Sequence, residues 1–146
     1  MCRDVTLSYG WSDATVPAAA RAHCQSQLIT LLPDAAPRRA LADDAGLVVS
    51  ELVTNAVAAG STQVEVRLEV HRDHVRLAVG DDADGLPALR AAGPTDPRGR
   101  GLAIVAAVSR SWGVERSTLG KHVWALLPVV GPLAAKVPCT LGPLED

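Results

Sequence analysis

Two polar side chains that could do chemistry stand four residues apart in segment 50–57. These are Glu51 and Asn55. On an α-helix this spacing places two side chains one above the other on the same face. A carboxylate can act as a general base, and an amide oxygen can bind a hard cation. The spacing is also typical of an ordinary pair at the border of a core-facing stripe, so both interpretations stay open.

A second group of candidate residues follows a segment in which apolar and polar residues alternate. Asp81, Asp82 and Asp84 come in quick succession there, and Gly85 follows them. Asp82 and Asp84 are as typical of a solvated turn as of a site. Asp81 directly follows the predicted strand, and a carboxylate there could accept a hydrogen bond from an exocyclic amine such as that of adenine.

A third candidate is the Gly-rich segment 98–102, which reads Arg-Gly-Arg-Gly-Leu. Its glycines would let the backbone approach a ligand, and the free N–H groups at a helix start favour phosphate oxygens. Arg98 and Arg100 could add charge-assisted hydrogen bonds. The segment is neither a Walker loop nor a Rossmann fingerprint, and it is also typical of a tight junction between a loop and a helix.

Hydrophobic periodicity predicts the elements that must position these residues. The predicted order is a strand at 4–9, helices at 17–32 and 38–59, hairpin strands at 64–70 and 75–79, a loop at 82–98, a helix at 101–110, and strands at 112–117 and 121–127. The helix at 101–110 is apolar on nearly all sides, so we expect it to be buried. Helices gathered on one face of a mostly antiparallel sheet indicate an α+β two-layer sandwich.

Composition limits the classes of function. The chain has 146 residues and a net charge of −2, which fits one domain and does not favour a dedicated nucleic-acid binder or a polybasic membrane binder. No apolar stretch reaches the roughly 20 residues of a membrane span, and the N-terminus does not resemble a signal peptide, so we expect a cytoplasmic protein. We expect the domain to comprise residues 1–128, followed by a Pro- and Gly-rich tail at 129–146 that carries no functional signal.

Cysteine and histidine give no metal pattern. The three cysteines include no CxxC pair, which disfavours a disulfide framework, and no histidine stands at ligand spacing from them. His71 and His74 flank the predicted hairpin turn. We expect both to be solvated turn residues rather than metal ligands.

The combination of motifs is more specific than any one of them. LVVSELVTNAV, RGRGLAIV and GKHVWALLP occur in this order along the chain. Over about residues 5–127 the sequence resembles the GHKL ATPase superfamily, and within it the anti-sigma factor serine/threonine kinase-like ATP-binding proteins. The resemblance implies the Bergerat fold, with a mixed and mostly antiparallel sheet and a Mg-ATP pocket between the helical layer and that sheet.

The resemblance also implies roles for individual residues. Asn55 would hold Mg²⁺ against the phosphates, and Glu51 would be the base that activates a water or a protein serine hydroxyl. Asp81 would read the adenine amino group, with Gly85 near the base. The loop at 82–98 would be the lid. The phosphate-side turn would consist of Gly99, Arg100, Gly101 and Leu102.

Lys121 would contact the nucleotide or its surroundings.

The sequence also departs from the family pattern in two places. DDADGLP lacks the usual DxGxG, and Ala58 and Ala59 replace a basic-histidine pair.

Two functions that agree with the resemblance therefore stay open. The first is an ATP-binding regulatory protein that binds a sigma factor or an anti-anti-sigma-type regulator and phosphorylates a serine or threonine on an antagonist. The second is a non-catalytic interaction module with weak or lost nucleotide binding. The resemblance also implies a homodimer, because relatives often work as dimers. An α+β domain of unrelated function is a third interpretation.

Overall fold

The computed structural model describes residues 3–83, 97–117 and 120–137, with the backbone alone at 97–101 and 117. Its helices are α1 (Val16–Leu31), α2 (Arg38–Ala58), α3 (Pro97–Val108) and α4 (Gly131–Lys136). Its strands are β1 (Arg3–Tyr9), β2 (Val64–Val70), β3 (His74–Asp81), β4 (Ser111–Ser117) and β5 (Gly120–Pro128). Among the described helices, none combines the length and the apolar character needed to cross a membrane.

The strands form one sheet in the order β1-β2-β3-β5-β4. All four pairings among the described strands are antiparallel, whereas the resemblance implied a mixed sheet. The helices α1 and α2 contact each other, and α2 also contacts the three central strands. The predicted α+β two-layer sandwich is confirmed.

The sheet has an inner face that packs against the helices, because buried and exposed residues alternate along its strands. In β2 the residues at 64, 66, 68 and 70 are buried, and the first two residues between them are exposed. In α1 the buried residues recur every four positions, at Val16, Ala20, Cys24 and Leu28. Cys24 is a core residue, and its burial raises the pKa of the thiol to about 12. The thiol is therefore not a nucleophile near neutral pH.

The third helix differs from its prediction in two respects. It begins at Pro97, four residues earlier than expected, because proline favours the first turn of a helix. It is also not buried on nearly all sides. Leu102 and Val105 are buried, whereas Ala103 and Ala106 are exposed. An alanine presents so little apolar surface that its exposure costs little free energy.

The chain does not leave the core at residue 128, where the sequence pattern places the end of the domain. Val129, Leu133 and Val137 are all buried in the hydrophobic core. The N–H of Leu133 donates to the carbonyl of Ala36 at 2.9 Å, which ties α4 to the loop between α1 and α2. Residues 138–146 lie outside the described residues.

The expectation that His71 and His74 are solvated is wrong. Their exposed fractions are 4% and 2%, and their rings stack with centroids 4.5 Å apart. The N–H of His71 donates to the carbonyl of His74, and Asp73 Oδ1 lies 2.6 Å from His74 Nδ1. The chain that follows β5 covers this turn, since the N–H of Val129 donates to the carbonyl of Asp73 at 2.9 Å.

Candidate functional site

Two of the predicted site residues meet at one end of the sheet. Asp81 is the last residue of β3 and Lys121 the second of β5, and the antiparallel register places them opposite each other. Each alternates with buried core residues of its own strand, so both side chains point to the inner face. Lys121 Nζ lies 3.0 Å from Asp81 Oδ1, and the side chains are 5% and 3% exposed, respectively.

The hydrogen bonds of Asp81 are concentrated on one of its oxygens. Oδ1 accepts from Lys121 Nζ and, at 2.8 Å, from the N–H of Ala83. Lys121 Nζ also lies 3.5 Å from the carbonyl of Ala83, which makes a weak hydrogen bond. Oδ2 of Asp81 has no hydrogen-bond partner within 3–83, 97–117 and 120–137.

The next residue, Asp82, secures the neighbouring turn. Its carboxylate accepts from the N–H and the hydroxyl of Thr62 and, at 3.4 Å, from the N–H of Gln63. The hydrogen bonds from Thr62 lower the pKa of Asp82. Asp82 is therefore more than a solvated turn residue, because it joins the end of β3 to the segment that leads into β2.

Glu51 and Asn55 lie on the flank of α2, as their spacing predicts. Both are half-buried, beside the buried Leu52 and Ala56. Neither side chain has a hydrogen-bond partner in the described part of the chain. A carboxylate and an amide, one turn apart at the border of the core, are thus available to a ligand.

The path of the chain brings the end of α2 to the same end of the sheet as Asp81. After α2 ends at Ala58, Gly60 adopts a φ of +87°, and the N–H of Ser61 donates to the carbonyl of Ala56. β2 then begins at Val64, whose register partner is Asp81. Asn55, in the last turn of α2, is therefore only a short turn away in sequence from the strand that pairs with Asp81.

The Gly-rich segment 98–102 is not the turn that its composition predicted. The backbone of Gly99, Arg100 and Gly101 lies within the first two turns of α3. Leu102 is 5% exposed and belongs to the buried side of that helix. Gly85 and most of the predicted lid lie outside the described residues.

Residues 15–127 match the family model described as a histidine kinase-like ATPase domain. The chain belongs to this family. No curated protein matches the sequence. The match confirms the resemblance to the GHKL ATPase superfamily that the motifs indicated.

The donor set of this histidine kinase-like ATPase domain fits Mg²⁺ and ATP in chemical type. Mg²⁺ takes oxygen ligands, and the half-buried Asn55 offers an amide oxygen with no partner among the described residues. Glu51 lies one turn away with a carboxylate that is similarly available. Asp81 offers one acceptor oxygen, Oδ2, that has no partner among the described residues, which suits an amine such as that of adenine.

A cleft of about 610 Å³ lies at the outer side of the same sheet, and Asp81 and Lys121 at the end of the sheet are also among its lining residues. Its lining includes Arg76, Glu115 and His122. The first is paired with Glu69 at 3.3 Å, and the other two with each other at 2.9 Å. Because these charges already have partners, the cleft is a weaker candidate site than the inner face.

Sequence reasoning did not find the contact between Asp81 and Lys121 or that between Asp82 and Thr62. The first could have been found from the strand patterns. Lys121 precedes the alternating residues of its strand just as Asp81 follows those of its own. The second had no local signal, since its partners are 20 residues apart.

Proposed function

We propose that this histidine kinase-like ATPase domain binds ATP with Mg²⁺ between the helical layer and the inner face of the sheet. The observation that carries the proposal is the placement of the Asp81 carboxylate on that face, at the end of the sheet that the last turn of α2 approaches. Glu51 and Asn55 lie on the flank of that helix without partners among the described residues. The proposed base-reading group and the proposed phosphate-side group would thus belong to neighbouring elements.

In this proposal Asn55 would hold Mg²⁺, which when bound neutralises charge on the phosphate oxygens. Glu51 would accept a proton from the attacking water or protein hydroxyl. Asp81 would accept a hydrogen bond from the adenine amine. Arg100 and the glycines beside it would lie toward the phosphates, with α3 offering the N–H groups of its first turn.

We further propose a regulatory role like that of the anti-sigma factor serine/threonine kinases. The motifs LVVSELVTNAV, RGRGLAIV and GKHVWALLP support this finer reading. The protein would act in the cytoplasm, as a homodimer, and bind a sigma factor or an anti-anti-sigma-type regulator. The group transferred would be the γ-phosphoryl of ATP, passed to a serine or threonine of an antagonist.

One observation favours the second candidate function, a non-catalytic interaction module. Asp81 already has a buried cationic partner in Lys121, so its carboxylate is less available to a nucleotide. Ala58 and Ala59 add to this, because they are exposed and offer no polar group at the end of α2.

Calorimetric titration with ATP and ADP, with and without Mg²⁺, tests nucleotide binding. We expect micromolar, Mg²⁺-dependent binding of ATP that Asn55→Ala abolishes. Thr54→Ala is the matched control, because Thr54 is the exposed neighbour of Asn55 on the same helix. Unchanged affinity in Asn55→Ala would contradict the assignment of Asn55. Absence of binding up to millimolar ATP would contradict the proposal and favour the interaction module.

Incubation with γ-labelled ATP and candidate antagonists separates the two functions. Label on a serine or threonine of an antagonist supports the kinase and excludes the module. If ATP binds but no antagonist is labelled, the module with retained nucleotide binding is the better description.

A further inference from the structure

The buried pair formed by Asp81 and Lys121 presents more hydrogen-bonding capacity than it uses. A carboxylate has two acceptor oxygens, and a lysine ammonium has three donor hydrogens. Oδ1 of Asp81 takes both of the bonds described for that carboxylate. The ammonium contacts Asp81 Oδ1 and the carbonyl of Ala83. Within the described residues, one oxygen and one ammonium hydrogen are left over.

The unused acceptor and the unused donor belong to two groups that are in direct contact. Nζ is 3.0 Å from Oδ1, and Oδ2 belongs to the same carboxylate. Both groups stand on the inner face, since they alternate with the core residues Val79 and Val123. A ligand edge that carries a hydrogen-bond donor next to an acceptor is the complement of this pair.

Packing alone does not explain a lysine at this position. Burying a lysine and an aspartate removes both charges from water, and a well-packed apolar pair is often as stable or more stable. The neighbouring inward positions of β5 are Val123 and Ala125, so an apolar residue would suit the strand. The pair is better explained by what its remaining donor and acceptor can bind.

The adenine base has the complementary edge. Its exocyclic amine donates, and the ring nitrogen next to the amine accepts. We propose that Lys121 reads adenine together with Asp81, with Oδ2 accepting from the amine and Nζ donating to the adjacent ring nitrogen. This inference rests on the proposed function and adds to it a second, cationic determinant of base specificity.

Three nucleotides isolate the two contacts. ATP carries both groups, 1-deaza-ATP has a C–H in place of the ring nitrogen, and purine riboside triphosphate lacks the amine. We expect the wild-type protein to bind each analogue at least tenfold more weakly than ATP, because hydrogen bonds to charged groups are the stronger ones. In Lys121→Met the loss for 1-deaza-ATP should disappear, and the loss for purine riboside triphosphate should persist.

Lys121→Met leaves Asp81 buried without its cation, which could impair folding. Two further variants therefore serve as controls. Lys121→Arg keeps the charge and should recover discrimination against 1-deaza-ATP at least in part. Asp81→Leu/Lys121→Met removes both charges together with the acceptor and the donor, and it should discriminate against neither analogue. Thermal unfolding of each variant establishes that the protein tested is folded.

The outcomes separate this inference from the proposed function. Equal binding of ATP and 1-deaza-ATP by the wild-type protein overturns the role of Lys121 while leaving ATP binding intact. The same conclusion follows if Lys121→Met keeps the tenfold difference. If the wild-type protein binds none of the three nucleotides up to millimolar concentration, the proposed function fails and this inference fails with it.

Discussion

Gly120 packs against the carbonyl oxygen of Asp81 so closely that no side chain fits between them. A Cβ at this glycine would overlap that oxygen and lie 2.9 Å from the Cα of Asp82. The φ of Gly120 is +145°, which residues with a side chain rarely adopt. Because Lys121 follows directly, this contact holds together the ends of β3 and β5 that carry the proposed base-reading pair.

Gly120→Ala should therefore destabilise the fold strongly. The backbone conformation alone costs an alanine on the order of 1–3 kcal/mol, and the overlap with Asp81 adds to that cost. The free energy of unfolding in urea measures the effect. Gly10→Ala is the matched control, because a Cβ at Gly10 would have no atom within 4 Å. Equal unfolding midpoints for the two variants would contradict this account of Gly120.

Glu51→Gln should separate binding from chemistry. The variant keeps the size and the polar character of the side chain, so ATP affinity should change by less than about threefold. Loss of a general base typically lowers the rate of the chemical step by about 10²–10⁴-fold. ATP hydrolysis or label transfer measures that rate. Asp44→Asn makes the same change of charge at an exposed position of α2 and should keep the wild-type rate. A Glu51→Gln variant with full activity would exclude Glu51 as the base.

The stacked histidines predict a loss of stability in mild acid. Burial lowers the pKa of His71 below its ordinary value of 6.5, and the neighbouring His74 lowers it further. The unfolded chain then binds the proton more readily than the folded protein does. The stability that neutral His71 contributes is complete above pH 6.5 and is lost as the pH falls through the lowered pKa.

Urea unfolding between pH 7.5 and pH 5 measures this dependence. For one proton the slope cannot exceed about 1.4 kcal/mol per pH unit. His71→Leu should flatten the dependence. His122→Gln should not, because His122 lies on the other face of the sheet, half-buried beside Glu115. A wild-type slope in His71→Leu would contradict the assignment to His71.

The elements that the sequence predicted well are those with a strong and uniform period. The alternation in β2 and the apolar stripe of α2 stop where these elements end. The predicted ranges of both therefore agree with the structure within a residue or two. The start of α3 was wrong because glycine and arginine carry little periodic signal, while Pro97 decides where the helix begins.

Contacts between distant residues were harder to predict. The burial of His71 depends on the chain after β5 returning to cover the hairpin turn, and nothing near His71 in sequence shows that return. The pairing of Asp81 with Lys121 depends in the same way on the register of two strands that are far apart in the chain. The sequence showed the chemical types of the candidate site residues, whereas the residues they contact could be identified only from the fold.

The segment after β5 should contribute measurably to stability, although its composition is that of a Pro- and Gly-rich tail. Leu133 is fully buried, and its N–H holds α4 to the carbonyl of Ala36. Leu133→Ala keeps this backbone bond and removes only the buried side chain, which should cost about 2–5 kcal/mol of unfolding free energy. Lys136→Ala is the matched control on the exposed side of the same short helix and should stay within about 0.5 kcal/mol of the wild type. If both variants unfold at the wild-type midpoint, residues 131–136 are not part of the cooperative unit, and the domain ends near residue 128 after all.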